Sequence, residues 1–112
     1  MGEETEQFLL VLTTAGSEEQ AAQIARGLVE RRLAACVNVC SLGCSIYRWQ
    51  GKIVEEEEKL LLVKTSRRLF DRVRETIREL HSYEVPEVLA IPILDGDKDY
   101  LRWLGESLGS DR

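Results

Sequence analysis

The stretch ACVNVCSLGCSIYRWQGKIVEEEEKLLLVKT, residues 35–65, decides the fold of this chain. Its first half is rich in Val, Ile, Tyr, Trp and Cys, which favour β-strands, and Gly43 marks a bulge or bend. Gln50-Gly51 suits a two-residue turn. The return arm, Ile53–Thr65, has no amphipathic helical stripe, so a strand is favoured. The stretch therefore predicts one long hairpin whose second arm is solvated along Glu55–Glu58 and buried beyond them.

The residues before the hairpin predict a strand followed by a helix. Phe8–Thr14 is a short apolar run without helical period, which is typical of a buried strand. Ser17, with Gln20 three residues later, forms a capping box. Apolar residues then recur at three- and four-residue spacing, so a helix with one core face is predicted over residues 18–33.

The residues after the hairpin predict a helix, a strand and a short terminal helix. Thr65 or Ser66 caps the second helix, which ends near His81. A strand is predicted over residues 88–94, and it lies at an edge or a bulge because Pro92 cannot donate a ladder hydrogen bond. A turn at residues 95–97 then leads into the terminal helix, which Asp97 caps.

This order, β-α-β-β-α-β with a C-terminal helix, predicts an α+β fold of the ferredoxin-like, split βαβ type. Residues 1–112 form a single domain, in which residues 1–7 and 109–112 are expected to be flexible. The hairpin is longer than two helices of this size can cover. Because the excess exposes apolar side chains and strand edges, we expect the chain to form an oligomer.

Composition narrows the classes of function. The chain has 112 residues and a formal charge of −5, which argues against a nucleic acid partner, since phosphate binding needs clustered Lys and Arg. The longest strictly apolar runs are far shorter than the roughly 20 residues of a membrane span. The N-terminus lacks the features of a secretory signal, so a cytoplasmic location with reduced thiols is expected.

Few residues offer reactive chemistry. The spacing of Cys36, Cys40 and Cys44 suggests a metal site, but cysteines four residues apart on a strand start about 13 Å from one another. His81, the single histidine, is either a helix cap or a ligand recruited with Cys36. Because no oxyanion hole or orienting third residue accompanies this pair, we expect no enzyme activity.

Five ordered blocks resemble the CutA family of divalent-cation tolerance proteins, over residues 8 to 104. The blocks are Arg32-Leu-Ala-Ala-Cys-Val-Asn38, Ser45-Ile-Tyr-Arg-Trp-Gln-Gly-Lys52, Leu61-Leu-Val-Lys-Thr65, His81-Ser-Tyr-Glu-Val-Pro-Glu87 and Asp99-Tyr-Leu-Arg-Trp-Leu104. The resemblance implies a ferredoxin-like homotrimer, related to PII signalling proteins, in which long hairpins wrap neighbouring subunits. It also implies tolerance to copper and other divalent ions, with no obligatory cofactor.

The resemblance carries over a set of metal ligands. In a bacterial member these are a cysteine on the first strand, a cysteine in the first of the five blocks and a histidine in the fourth. The corresponding residues here are Thr13, Cys36 and His81. Thr13 replaces a soft thiolate with a hydroxyl, and Ser82 stands where the family usually has Pro. The metal ligands expected in this chain are therefore Cys36 and His81. Cys40 and Cys44 carry no inherited role.

A second inherited set is polar and aromatic, and in related trimers such residues lie around a cleft between subunits. The set comprises Tyr47, Trp49, Lys64, Tyr83, Glu84 and Glu87. One interpretation is interface packing. The other is an effector site of the kind that PII proteins have, where Lys64 would contact a small anionic ligand. Metal tolerance and PII-like signalling thus stand as alternative functions.

Overall fold

The computed structural model describes residues 6–109, which form one four-stranded sheet and three α-helices. In chain order the elements are β1 (Phe8–Ala15), α1 (Glu18–Glu30), β2 (Cys36–Trp49), β3 (Lys52–Ser66), a 3₁₀ turn (Arg67–Leu69), α2 (Phe70–Leu80), β4 (Leu89–Pro92) and α3 (Lys98–Ser107). The strands lie in the order β2-β3-β1-β4, and each neighbouring pair is antiparallel. None of the helices in this part of the chain is long and apolar enough to cross a membrane.

The hairpin of β2 and β3 is confirmed in its details. Trp49 pairs with Lys52 across a two-residue turn in which Gln50 and Gly51 have φ angles of 52° and 80°. Two consecutive positive φ angles are typical of a type I′ turn, which matches the twist of the strands. The register shifts between Ser41 and Gly43, so the bulge lies where Gly43 predicted it.

One face of the sheet packs against the helices and holds the core. Alternate residues of β1 and β3, such as Val11, Leu61 and Val63, are fully buried together with Ile24 of α1 and Ile77 of α2. This alternation follows from the two-residue period of a strand. The solvated first half and buried second half predicted for β3 are also confirmed, because its burial increases along the strand.

The opposite face of the sheet carries a second set of apolar side chains, and we call it the open face. Leu10, Leu12, Leu60 and Leu62 alternate with core residues and are each only partly buried. The molecule measures 54 × 24 × 22 Å, and its radius of gyration is 15.0 Å. A compact domain of this length would have a radius of gyration of about 13 Å. The hairpin therefore extends beyond the layered part of the domain.

Two predicted helix boundaries differ from the structure. Helix α1 ends at Glu30 and not at residue 33, because Arg32 has a φ of 59° and its guanidinium donates to the carbonyls of Glu106 and Ser107 at the end of α3. Ser66 makes no capping hydrogen bond, and Thr65 donates instead to the carbonyl of Leu33 at 2.6 Å. A 3₁₀ turn therefore precedes α2.

Strand β4 and the two chain ends also differ from the prediction or extend beyond the described residues. Strand β4 spans only Leu89–Pro92, within the predicted 88–94, and as predicted it lies at the sheet edge. Most of the end residues expected to be flexible fall outside the described residues. Of those described, Glu6 pairs with Arg68 at 2.6 Å, and the Gly109 amide donates to the Arg32 carbonyl.

Candidate functional site

Five of the six residues predicted for a ligand cleft line one cavity. Tyr47 and Trp49 come from β2, whereas Tyr83, Glu84 and Glu87 come from the loop between α2 and β4. The cavity has a volume of about 730 Å³. Its other lining residues are Thr14, Ser45, Ile46, Val54, Glu56, Glu58 and Val85. The hairpin thus forms one wall, and the loop over residues 82–87 forms the other. We call this cavity the acidic cleft, because within residues 6–109 its only charged lining residues are four glutamates.

The sixth predicted residue, Lys64, lies elsewhere. Its ammonium donates to Asn38 Oδ1 and lies 3.9 Å from the Sγ atom of Cys36, at the opposite end of the hairpin from the turn. Lys64 is therefore absent from the lining of the acidic cleft. Within one chain Lys64 therefore does not share a cavity with the other five residues, and its contact with an anionic ligand at a cleft between subunits stays a prediction.

Two tyrosine hydroxyls in the acidic cleft donate to glutamates. Tyr47 donates to Glu56 Oε1, and Tyr83 donates to Glu58 Oε2 at 2.7 Å. The hydrogen bond to Glu56 raises the pKa of Tyr47 to about 12, and burial, followed by the bond to Glu58, also raises the pKa of Tyr83. Both phenols therefore stay protonated at neutral pH, where they satisfy one oxygen of each carboxylate.

Glu58 is the most buried carboxylate of the cleft. Its residue surface is 6% exposed, so the solvated character predicted for Glu55–Glu58 is wrong for this residue. Glu58 is covered because Tyr83 and the loop that carries it pack over its side chain. Burial raises the pKa of Glu87, and the negative charge of Glu58 raises it further. The part of the cleft that the structure describes therefore concentrates negative charge.

The loop that carries Tyr83 is fixed by His81. The Tyr83 amide donates to His81 Nδ1 at 3.0 Å, and His81 Nε2 lies 2.6 Å from the carbonyl oxygen of Thr14. Because Nδ1 accepts a proton donor and a carbonyl can only accept, the ring carries its proton on Nε2 and donates it to Thr14. Both ring nitrogens are thus occupied in holding the loop against β1.

Two residues that the sequence analysis did not assign to the site also position this loop. Gln20 donates to the Leu80 carbonyl at 3.0 Å and accepts from the Ser82 amide at 2.9 Å, so its side chain does not complete the capping box with Ser17. A Cβ atom on Gly16 would lie 3.1 Å from the Tyr83 hydroxyl. The position of Gly16 directly after β1 was the sequence signal for its role. No local sequence pattern predicts the contact of Gln20 with Leu80, which lies 60 positions further along the chain.

The predicted metal ligands do not meet within one chain. Cys36 pairs with Lys64, which pairs with Leu10, whereas His81 contacts Thr14, four residues along β1. Four residues along a strand and two strand spacings across the sheet separate the two sites by about 16 Å. Thr13 lies on the core face, opposite the face that carries Cys36, and its Oγ1 atom is buried with no hydrogen-bond partner among residues 6–109.

The other two thiols are also dispersed along β2. Cys40 pairs with Leu60 on the open face, and Cys44 lies beyond the bulge opposite Glu57. All three cysteines are free. Within the described range, no group of three or more His, Cys, Asp or Glu side chains is arranged to hold a metal ion.

Comparison with known proteins identifies the family. The family profile described as "CutA1 divalent ion tolerance protein" matches residues 9–107. The "Divalent-cation tolerance protein CutA" of Thermus thermophilus is 53% identical over 100 residues, which cover 89% of this chain and 97% of that one. A solved structure of the divalent cation tolerance protein of Thermus thermophilus superposes with a TM-score of 0.88 at 52% identity, covering 91% of this chain and 99% of that one.

More distant relatives share the fold and differ in length or in the location that their descriptions give. A structure from Archaeoglobus fulgidus, described as a periplasmic divalent cation tolerance protein, superposes with a TM-score of 0.85 at 40% identity and covers 92% of this chain and 98% of that one. The human relative, "Protein CutA", is 45% identical over 81% of this chain, which spans only 51% of its length. None of these descriptions indicates a catalytic activity.

Proposed function

The chain belongs to the CutA1 divalent ion tolerance family, and on this premise we propose that it is a non-enzymatic homotrimer that binds divalent metal ions, copper in particular. The observation that carries the proposal is the family match, which spans residues 9–107 and therefore includes every element of the fold apart from Phe8, the first residue of β1. We further propose that the protein works in the cytoplasm, where its three thiols stay reduced and able to bind soft metal ions.

The surface of the single chain supports the trimer. Partly buried leucines on the open face include Leu10 and Leu62, and the exposed hydrophobic side chains on the edge strand β2 and at the start of β3 include Ile46, 65% exposed, and Ile53, 63% exposed. Apolar surface of this kind and unpaired strand edges favour association with further copies. The element order and the strand order β2-β3-β1-β4 agree with the ferredoxin-like arrangement of such subunits.

A trimer also supplies what one chain lacks at the metal site. Cys36 and Cys40 lie on the open face, so they would approach neighbouring chains if that face is covered by other subunits. His81 can ligate only after it gives up its bond to Thr14 or to the Tyr83 amide. We therefore propose Cys36 as the principal ligand and His81 as a ligand that is recruited with a rearrangement of its loop.

Calorimetric titration tests this proposal. The reduced protein is titrated with Cu(II), Zn(II) and chelator-buffered Cu(I), beside Cys36→Ala/His81→Ala and the control Cys44→Ala, whose thiol is exposed and lies beyond the bulge of β2 from Cys36. We expect one site per subunit, lost in the double variant and retained in the control. Binding weaker than about millimolar, or equal binding by all three proteins, would contradict it. Light scattering should give three times 12.8 kDa, and a 12.8 kDa particle would exclude the trimer.

A second candidate function is a PII-like signalling trimer that binds a small effector. The observation that favours it is the acidic cleft, which gathers five of the six residues inherited for an effector site. The cleft volume of about 730 Å³ falls within the usual range for small-molecule sites. In this function metal binding is incidental, so the Cys36→Ala/His81→Ala variant would lose metal binding and keep effector binding.

A further inference from the structure

Cys36 and Lys64 form a side-chain pair on the open face. The two residues are direct partners across β2 and β3, so their side chains project from the same face of the sheet. The Nζ atom of Lys64 lies 3.9 Å from Cys36 Sγ, and both residues are half-buried. A nitrogen nucleophile and an oxidisable sulfur are therefore neighbours in the folded chain.

Asn38 holds the Lys64 side chain beside the thiol. The Lys64 ammonium donates to Asn38 Oδ1, and Asn38 lies two residues after Cys36, on the same face of β2. Within residues 6–109, none of the ion pairs draws Lys64 toward a carboxylate. The nitrogen is thus held over β2 next to the sulfur, instead of being directed to an acidic partner elsewhere.

No second cysteine lies within bonding range of Cys36 in the same chain. All three cysteines of the sequence are described and free, and Cys40, the next along β2, starts about 13 Å from Cys36. A disulfide needs Cα atoms no more than about 7 Å apart. Inside one chain, an oxidised Cys36 therefore meets the amine of Lys64 and not a thiol.

We propose that Cys36 and Lys64 are a redox modification site, at which hydrogen peroxide oxidises the thiol and the lysine then closes a sulfenamide bridge between β2 and β3. In the first step, an S–O bond forms as the O–O bond of the peroxide breaks. The peroxide takes two electrons from the sulfur, which becomes a sulfenic acid, and the thiol proton leaves in the released water.

The second step is a condensation without further oxidation. A sulfenic acid condenses with a backbone nitrogen to give a sulfenamide, and a lysine amine is a stronger nucleophile than an amide. The Nζ atom of Lys64 attacks the sulfur, and the N–S bond forms as the S–O bond breaks. The hydroxide leaves as water with one proton from the nitrogen, and the additional proton of the ammonium passes to solvent.

The bridge is reversible and independent of the functions proposed above. A thiol reductant attacks the sulfur, releases the lysine amine and gives a mixed disulfide that a second thiol resolves. Closure removes two hydrogen atoms from the pair and adds no oxygen. The proposal goes beyond metal tolerance and effector binding and requires neither of them. Where Cys36 also binds a metal ion, closure withdraws its thiolate.

Peptide mass spectrometry of the assembled protein tests the proposal. The reduced protein is treated with hydrogen peroxide, its remaining thiols are alkylated, and it is digested with trypsin. We expect peptides 33–48 and 60–67 to be joined, with a mass two hydrogen atoms below the sum of the peptides in which Cys40 and Cys44 are alkylated. Fragmentation should place the link on Cys36 and Lys64. Dithiothreitol, added before alkylation, should remove the joined species.

Lys64→Arg keeps the positive charge and lacks a primary amine. The joined species should fall at least tenfold in this variant, and Cys36 should instead accumulate as a sulfinic acid. Lys59→Arg is the matched control, because Lys59 pairs with Ser41 on the other face of β3, and it should change the yield less than twofold. Asn38→Ala, at an exposed position, should also lower the yield and keeps the proposal testable if Lys64→Arg does not assemble.

The proposal is overturned if Cys36 of the unaltered protein becomes a sulfinic acid without joining Lys64, or forms a disulfide with another chain. Equal yields of the joined species in Lys64→Arg and Lys59→Arg would overturn it as well. Joined peptides that retain an additional oxygen atom would contain a different linkage and contradict the sulfenamide. Metal titration of the reduced protein tests the proposed function separately, so a failure of either proposal leaves the other standing.

Discussion

Replacing Thr13 with Val should stabilise the protein. Thr13 is completely buried on the core face of β1, where it pairs with Leu61, and its Oγ1 atom has no hydrogen-bond partner in residues 6–109. Burying a hydroxyl without a partner costs about 1–3 kcal/mol by the measure of protein mutations. Val has nearly the same shape and an equal preference for strands, so Thr13→Val removes this cost without opening a cavity.

The expected gain is about 1–2 kcal/mol in the free energy of unfolding per chain, at the lower end of the desolvation cost because the surrounding side chains adjust. For a domain of this size, that corresponds to a rise of about 4–8 °C in the melting temperature. Urea denaturation followed by circular dichroism measures the change, at one fixed protein concentration because assembly also contributes to stability.

Thr13→Ser is the matched control, since it keeps the hydroxyl and deletes a buried methyl group. It should destabilise the protein by about 1 kcal/mol. If Thr13→Val instead lowers the free energy of unfolding by 1 kcal/mol or more while Thr13→Ser is neutral, the hydroxyl has a partner and the reasoning is refuted. An unchanged m-value in both variants would show that the compactness of the unfolded state has not altered.

Three further predictions concern the loop, the turn and the cleft. Gln20→Ala should lower the free energy of unfolding by about 1–2 kcal/mol in urea denaturation, because it leaves the Leu80 carbonyl and the Ser82 amide without their partner, and an unchanged value would contradict this. Gly51→Ala should lower the free energy of unfolding by about 1 kcal/mol in the same assay, because a φ of 80° strains any residue with a side chain, even though no atom lies within 4 Å of the new Cβ. An unchanged free energy of unfolding would contradict this prediction. Glu87→Gln should raise the melting temperature at pH 7 but not below about pH 4. Folding raises the pKa of Glu87 above 4.5, so its ionised form opposes folding as the pH rises through that value. A difference in melting temperature that does not depend on pH would contradict this prediction.

Much of the fold could be predicted because local patterns and the final packing agree. The Gln50-Gly51 turn and the bulge at Gly43 were evident from the residues themselves, since both positions need backbone angles that few residues adopt. The end of α1 was not evident from the sequence, because Arg32 has a positive φ and its guanidinium caps the end of α3, about 75 residues further along the chain. Ser66 fitted a cap by residue type and has the extended backbone of an N-cap, yet its side chain makes no capping hydrogen bond.

The candidate site was predictable only through the family resemblance. That resemblance grouped Tyr47 and Trp49 with residues of the 83–87 loop, and the structure brings them together. It also included Lys64, which the hairpin register places far from the cleft. A run of four glutamates is ordinarily solvated, and the burial of Glu58 beneath Tyr83 is a tertiary feature that the run itself does not reveal.

The shape of the hairpin links assembly to the acidic cleft. The outer half of β2 and β3 supplies Tyr47, Trp49 and Glu56, and it projects from the layered core of a molecule 54 Å long. A two-stranded ribbon without a covering layer is marginally stable in water, so its side chains are held firmly only if another subunit packs against it. The opposite wall is fixed within the chain by His81 and Gln20. Ligand affinity of the cleft should therefore depend on oligomeric state, because one wall is rigid in the single chain and the other becomes rigid on assembly.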